Sequence, residues 1–160
     1  MSFTPFTVNT VAEMNISYTP SKREFKYAVV TSKKAFEFLW NLWNLNTVNL
    51  LEEVVVLYFN RSSKLIGYIR LAVGGITSTV VDVRLILGIA LKSGANGFIV
   101  AHNHPSGNIH PSNADIEVCN KINAAAKVMD LLLMDFIIIA PSGDYSNCPD
   151  GYSFADNGHL

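Results

Sequence analysis

The residues best suited to chemistry lie together in one segment, HNHPSGNIHPSNAD, which spans residues 102–115. In an extended backbone His102 and His104 point to the same side, because side chains two residues apart share a face, and their backbones lie about 6–7 Å apart. Two such imidazoles can converge on one ion. Zinc binds histidine nitrogens and carboxylate oxygens at similar distances, and Asp115 can turn back toward the same ion as a third ligand. Three protein ligands leave a fourth position for water, which is typical of catalytic zinc sites.

Two questions remain open from the residues alone. His110 lies between the histidine pair and Asp115, and a site built from His102, His104 and His110 satisfies the same ligand chemistry. Ser112 followed by Asp115 three residues later also matches a helix-capping arrangement, in which an acidic side chain near the helix N-terminus is favourable without any metal. Spacing alone does not choose between His110 and Asp115.

The elements around this segment indicate how it is positioned. A short apolar run, GFIVA at 97–101, predicts a buried strand that ends where the histidines begin, and loops beyond strand ends are where α/β proteins place ligands. Apolar spacing predicts a helix over about 113–128, directly after the segment. Further strands and helices are predicted along the rest of the chain: strands at 7–17, 24–30, 53–60, 64–73 and 131–140, a helix at 33–45 capped by Ser32, and a helix that starts between Thr79 and Asp82, continues to Leu91 and is closed by Gly94. The fold class is therefore α/β, with a mixed β-sheet and helices packed on both faces.

Length and composition fit one domain over residues 1–160, in which about 50–158 carry the motif and about 6–46 supply N-terminal strands and a helix. Only two cysteines occur, Cys119 and Cys148, and they form no CxxC pair, which excludes a cysteine-rich zinc knuckle and favours a reducing compartment. The first residues show no signal-peptide pattern, and the apolar runs are too short to cross a membrane. A soluble, cytoplasmic protein is expected.

Charge gives a weaker indication about partners. The net charge is −1, but residues 1–92 hold ten Lys/Arg against six Asp/Glu, while residues 93–160 hold two against seven. The basic residues are densest between 22 and 34, beside the aromatic Phe25 and Tyr27, as a nucleic-acid surface would require. They are Lys22, Arg23, Lys26, Lys33 and Lys34. So few charges are more often a solvated surface, so only a weak nucleic-acid association is expected.

The segment resembles a known family. Residues 102–115 match the pattern HxHPxxxxxxSxxD of the JAMM metalloproteases (the JAB/MPN domain) at every specified position. More narrowly, residues 81–115 resemble the RadC family of bacterial proteins, in which HNHPSG recurs almost unchanged, and YSFADNG at 152–158 resembles the end of that family. The similarity covers roughly residues 50–158. It implies an architecture similar to the cytidine deaminases and a zinc-dependent hydrolase.

The resemblance also implies roles for individual residues. His102, His104 and Asp115 would bind the zinc ion, and Ser112 would help to hold the oxyanion. A glutamate that opens an upstream strand would be the general acid and base, and in this chain Glu52 occupies that place. Strand alternation agrees, since Glu52 shares a face with the inward Val54, whereas Glu53 should point the other way.

The chain departs from the RadC pattern in two places. RadC proteins usually carry Asp-His where this chain has Asp135-Phe136, so a histidine beside the metal ligands is missing. Residues 1–50 show no glycine-centred helical pair of the kind that forms the family's DNA-binding helix–hairpin–helix region. A DNA role is accordingly less supported here than in the family.

The expected reaction is hydrolysis of a peptide or isopeptide bond, with a peptide or isopeptide-linked protein as substrate. A zinc deaminase is disfavoured because those enzymes use HxE and PCxxC, which this chain lacks. The sequence is also compatible with a DNA-repair-associated or DNA-binding protein of the RadC type, and with a non-catalytic JAB module.

Overall fold

A computed structural model describes residue 29 and residues 31–73, 81–141 and 151–160. The predicted strand at 7–17, and that at 24–30 except for Val29, lie outside the described residues. Eight elements occur in the described part of the chain: α1 (Ser32–Leu42), β1 (Glu53–Phe59), β2 (Leu65–Val73), α2 (Val83–Ser93), β3 (Gly97–Asn103), α3 (Asn113–Val128), β4 (Leu132–Ile139) and β5 (Gly151–Ser153).

The strands form one mixed sheet in the order β2-β1-β3-β4-β5. β1 pairs antiparallel with both β2 and β3, β3 pairs parallel with β4, and β4 pairs antiparallel with β5. The β1–β2 hairpin turns at Asn60, whose side-chain oxygen accepts hydrogen bonds from the backbone N–H groups of Ser62 and Lys64. β1 and β3 therefore lie in the interior of the sheet, and every residue of both strands is buried.

Helices cover both faces of the sheet, as predicted. Alternate residues of β1 face opposite sides: Val54 and Val56 pack in one apolar cluster with α2 and α3, whereas Val55 and Leu57 pack in a second cluster with α1. The wholly apolar strands of the sequence follow from this layering, because neither face of the central sheet meets water. Among the described residues no helix is both long and apolar enough to cross a membrane.

The helix ends correct two details of the sequence prediction. Thr31, not Ser32, caps α1 by accepting a hydrogen bond from Lys34 N, and α1 ends at Leu42, three residues earlier than predicted. Asp82 is itself the N-cap of α2, and the helix begins one residue later. Gly94 closes α2 in a left-handed conformation with φ of 68°, as expected of a glycine at that position.

β3 is longer than predicted, and this matters for the histidines. The strand continues past the apolar run through His102 and Asn103, because both residues still pair with β4 and His102 also pairs with Val54 of β1. His102 therefore projects from a strand with neighbours on both sides rather than from a loop. Such a position fixes its side chain more firmly than a loop would.

Candidate metal centre

The two histidines and Asp115 meet at the carboxyl end of β3. Asp115 Oδ1 lies 3.3 Å from His102 Nε2, and Asp115 Oδ2 lies 3.5 Å from His104 Nε2. One ligand atom from each of the three residues lies within 4.8 Å of the others. Ligand atoms placed tetrahedrally at 2.0–2.1 Å from zinc are about 3.3 Å from one another. The two nitrogen–oxygen distances measured here are close to that value.

His102 provides the strongest sign that the cluster fits a cation. Its side chain is almost completely buried, and its Nε2 atom makes no hydrogen bond in the described structure although Asp115 Oδ1 is near. A buried polar atom without a partner is costly and calls for a ligand. Burial lowers the pKa of His102 to about 4, against the opposing effect of Asp115, so at neutral pH the imidazole is uncharged and offers a lone pair.

His104 follows the end of β3 and is held by backbone contacts. Its N–H donates to Ile139 O at 2.8 Å, and its ring Nδ1 lies 2.7 Å from Asn108 O. A carbonyl only accepts, so Nδ1 carries the proton in this contact and Nε2 is turned toward Asp115. A backbone carbonyl behind a histidine ligand is the usual way in which proteins fix the ring and its tautomer.

Asp115 belongs to the group of potential metal ligands and to a helix cap at the same time. Ser112 is the N-cap of α3: its N–H and its hydroxyl donate to Asp115 Oδ2 at 2.7 and 2.6 Å, and Asp115 N donates back to Ser112 Oγ. Oδ1 stays directed at His102. Burial raises the pKa of Asp115, but contacts with His104, His102 and Ser112 outweigh it and hold the pKa below its ordinary value. The capping and metal-binding interpretations are therefore compatible.

Glu52 lies directly before β1, beside the histidines. Its Oε1 atom is 3.9 Å from His102 Nδ1. Burial raises the pKa of Glu52 above its ordinary value, while His104 lowers it and Asp115 raises it by smaller amounts. Glu53 turns to the opposite face, where its carboxylate forms an ion pair with Arg70 at 2.6 Å. The two neighbouring glutamates thus have separate surroundings. Glu52 lies beside the potential metal ligands, and Glu53 lies on the face of the sheet that α1 covers.

A cleft of about 360 Å³ opens next to the group of potential ligands, His102, His104 and Asp115, which is called the ligand cluster below. It is lined by Glu52, His104, Pro105, Ser106, Asn108, His110, Pro111 and Ser112. His110 is exposed on its wall and does not belong to the group of potential ligands found among the described residues. Of the sequence-predicted residues, the structure brings together Glu52, His102, His104, Ser112 and Asp115.

A larger cavity, of about 600 Å³, lies at the other end of the parallel strands, beside Ser32 and Asp135. The buried Asp135 carboxylate there already accepts hydrogen bonds from Ser153 Oγ at 2.7 Å and Ala155 N at 3.0 Å. Those bonds tie the C-terminal segment to β4 and leave the carboxylate a structural role. The smaller cleft, which borders the potential metal ligands, is therefore the candidate functional site.

Sequence reasoning missed one residue of this centre, Asn103. It lies between the two candidate histidine ligands, is completely buried, and bonds to residues about 50 positions earlier in the chain. Its only sequence signal is its place inside the HxH pair, because an asparagine in a loop is ordinary. Its bonds reach both neighbours of Glu52 in the chain.

The mixed sheet, the histidine pair at the end of its central strand and the carboxylate returned by the next helix are consistent with a JAB domain. The model of the RadC-like JAB domain matches residues 29–158, and the chain belongs to this family. The resemblance seen in the sequence is thereby confirmed.

Bacterial relatives are similar to part of the chain. A UPF0758 protein of Flavobacterium johnsoniae is 43% identical over 100 residues, which are 62% of this chain and 44% of the relative. A UPF0758 protein of Porphyromonas gingivalis is 41% identical over 109 residues, which are 68% of this chain and 45% of the relative. A third, from Carboxydothermus hydrogenoformans, is 40% identical over 88 residues, which are 55% of this chain and 39% of the relative. The chain thus spans less than half the length of these relatives.

Proposed function

We propose that the protein is a zinc-dependent hydrolase that cleaves a peptide or isopeptide bond. The observation that carries this proposal is the Glu52 carboxylate beside a cluster of two histidines and one aspartate that borders an open cleft. A structural zinc site is closed by four protein ligands, whereas three ligands leave a position for water. The proposed substrate is a peptide or a protein joined through an isopeptide bond.

His102, His104 and Asp115 would hold the ion. The donor set of two imidazole nitrogens and one carboxylate suits zinc, and the buried Nε2 of His102 has no other hydrogen-bond partner in the described structure. When bound, zinc would lower the pKa of water from 15.7 toward about 7 and polarise a substrate carbonyl. The protein's own part is to keep His102 neutral and Asp115 ionised. Burial lowers the pKa of His102, and the contacts of Asp115 hold its pKa below the ordinary value.

Glu52 is the proposed proton carrier. Its carboxylate would accept a proton from water and return it to the leaving amine, a task for which a pKa closer to neutrality is better suited. Burial moves the pKa of Glu52 in that direction. Its position at the wall of the cleft gives it access to a substrate, whereas Glu53 is engaged with Arg70 on the other face of the sheet.

Ser112 is the proposed oxyanion donor. Its hydroxyl donates to Asp115 Oδ2 in the structure, while its backbone N–H donates to the same oxygen. The N–H bond can hold Asp115 alone, so the hydroxyl is free to rotate toward the cleft and donate to charge that develops on the substrate. Removing one such donor typically costs about 10²–10³ in kcat.

The decisive experiment compares zinc-loaded protein and its variants on peptide and isopeptide-linked lysine substrates. Glu52→Gln should keep its zinc and lose about 10²–10⁴-fold in kcat, since the amide cannot carry the proton. Glu53→Gln is the matched control and should keep most of the activity. An inactive Glu53→Gln beside an active Glu52→Gln would move the role to Glu53, and absence of cleavage by the wild type would contradict the proposal.

The competing function is a DNA role of the RadC type. Its physical support is the basic group at 22–34, of which only Lys33 and Lys34 fall within the described residues, at the start of α1. Phosphate contacts would make DNA affinity fall with salt at about −0.9 per contact in the logarithmic plot. DNA cleavage that requires zinc and disappears in His104→Ala would replace the proposal of peptide or isopeptide hydrolysis.

A further inference from the structure

Asn103 separates the two proposed histidine ligands, and its side chain points away from them into the α1 layer. Its Nδ2 donates to Val48 O at 2.7 Å and to Leu51 O at 3.0 Å. Its Oδ1 accepts from Glu53 N at 2.8 Å. The side chain is completely buried, so both amide protons and the carbonyl oxygen are committed to these three bonds.

The three bonds hold the chain segment that carries Glu52. Leu51 and Glu53 are its neighbours on either side, and Asn103 binds the carbonyl of one and the N–H of the other. Glu52 is thereby fixed relative to β3 at the same point from which His102 and His104 project. The three consecutive residues at 102–104, at the end of β3, thus set the positions of two proposed ligands and of the proposed proton carrier.

The sheet does not supply this attachment by itself. The pairing of β1 with β3 begins at Val54, opposite His102, and Glu52 lies before it. The segment ahead of β1 is folded into turns in which Leu50 N and Leu51 N both donate to Thr47 O. Without Asn103, the backbone on either side of Glu52 would lose these two side-chain bonds to β3.

We propose that Asn103 is a positioning residue, which holds Glu52 at a fixed distance from the metal centre by bonding Leu51 and Glu53 to β3. The inference about catalysis rests on the proposed hydrolase function. The inference about geometry is independent of that function, because it concerns only where the backbone of Glu52 lies. A displacement of about 1 Å at a reacting group can cost about 10²-fold in rate, so the effect on kcat should be of this order.

The test uses Asn103→Ser, whose small side chain leaves room for water to satisfy the freed backbone groups, with Asn103→Ala as a second variant. Asn60→Ala is the matched control, because Asn60 also bonds backbone N–H groups but lies at the opposite end of β1. Zinc content should stay the same in all proteins. Asn103→Ser should lose about 10–100-fold in kcat with little change in KM, and Asn60→Ala should keep its kcat.

Two measurements are independent of turnover. Hydrogen exchange at the Glu53 amide should speed up at least about tenfold in Asn103→Ser, whereas the amide of Val100 in the middle of β3 should stay protected. With Co(II) in place of zinc, the paramagnetic shift of the Glu52 amide should differ between wild type and Asn103→Ser, but not between wild type and Asn60→Ala. The shift depends on distance from the ion and so reports the displacement directly.

The outcomes separate the two proposals. An unchanged Glu52 shift in Asn103→Ser, or an unchanged kcat in an active enzyme, would overturn the positioning role. Loss of metal from Asn103→Ser would also overturn it, since Asn103 would then support the ligands and not Glu52. A wild type that binds Co(II), shows the expected shift difference and cleaves no substrate would refute the hydrolase function but keep the geometric inference.

Discussion

Asp115 offers the sharpest test of the metal centre, because its carboxylate caps α3 and would also bind the ion. Without metal it completes the cap of α3, accepting two hydrogen bonds from Ser112 at 2.6 and 2.7 Å. With metal it would keep this cap and also be the third ligand. Ser112→Ala removes most of the cap and no ligand, whereas Asp115→Ala removes both. His110→Ala removes neither and tests the possibility of a three-histidine site.

The expected magnitudes differ enough to be measured. In chelator, Ser112→Ala should cost about 1 kcal/mol of unfolding free energy, as for other N-caps. Asp115→Ala should cost about 1.5–3 kcal/mol, since it removes a charged acceptor and leaves Ser112 N–H without it. With free zinc at about 100 times the wild-type Kd, the wild type should gain about 2.7 kcal/mol. If Asp115→Ala binds about 100-fold more weakly, its gain falls to about 0.4 kcal/mol.

The assay is urea unfolding followed by circular dichroism, once in chelator and once in buffered free zinc, with elemental analysis of each purified variant. Ser112→Ala and His110→Ala should show the full zinc-dependent gain, and Asp115→Ala should show little of it. The reasoning is refuted if Asp115→Ala gains as much from zinc as the wild type does. Loss of the gain in His110→Ala would assign the site to three histidines instead.

Two further predictions concern the stability of the fold without zinc and the reactivity of the buried Cys119. Removing zinc with a chelator should abolish hydrolysis but leave the circular dichroism spectrum intact, because the apolar clusters on both faces of the sheet need no metal. Loss of activity together with loss of the folded spectrum would contradict this prediction. Burial, with a contribution from Asp135, raises the pKa of the Cys119 thiol to about 12. In a Cys148→Ser background, Cys119 should therefore react with a thiol reagent at about pH 8 only as fast as the protein unfolds. Fast labelling of the native protein would show that Cys119 is accessible.

Local signals account for most of what the sequence predicted correctly. The alternation of β1 placed Glu52 and Glu53 on opposite sides, and the serine and aspartate three residues apart correctly predicted the cap at the start of α3. Both patterns depend on neighbours within four residues, and their geometry is fixed by the helix and strand repeats. They are therefore visible in a single sequence.

The features that the sequence did not predict depend on partners far along the chain. β5 has only three residues, and its Ser153 is held by the Asp135 carboxylate of β4. β3 continues through Asn103 because β4 extends alongside it. The contacts of Asn103 with Val48 and Leu51 join residues more than 50 positions apart. No periodicity records such pairs, so only the folded structure reveals them.

Phe136 occupies the position at which the resemblance to the RadC family implies a histidine. Its ring is fully buried and meets the ring of His102 edge-on, with centroids 5.4 Å apart. Packing therefore restricts the His102 ring from this side, and the same apolar contact helps to keep the imidazole neutral. With Phe136 at this position, an apolar ring lies beside His102 and still restrains its imidazole.

Phe136→Ala should therefore weaken zinc binding as well as the fold. Truncating a buried phenylalanine costs about 3–5 kcal/mol of unfolding free energy, and loss of support behind a ligand typically costs about 10–100-fold in metal affinity. Phe154 is the matched control, because it is also buried and its ring packs against that of Phe136, with 5.0 Å between centroids. Phe154→Ala should lose similar stability and keep its zinc affinity. If competition with a zinc-binding dye gives equal affinities for the two variants, Phe136 contributes only to the core and His102 is held by its strand alone.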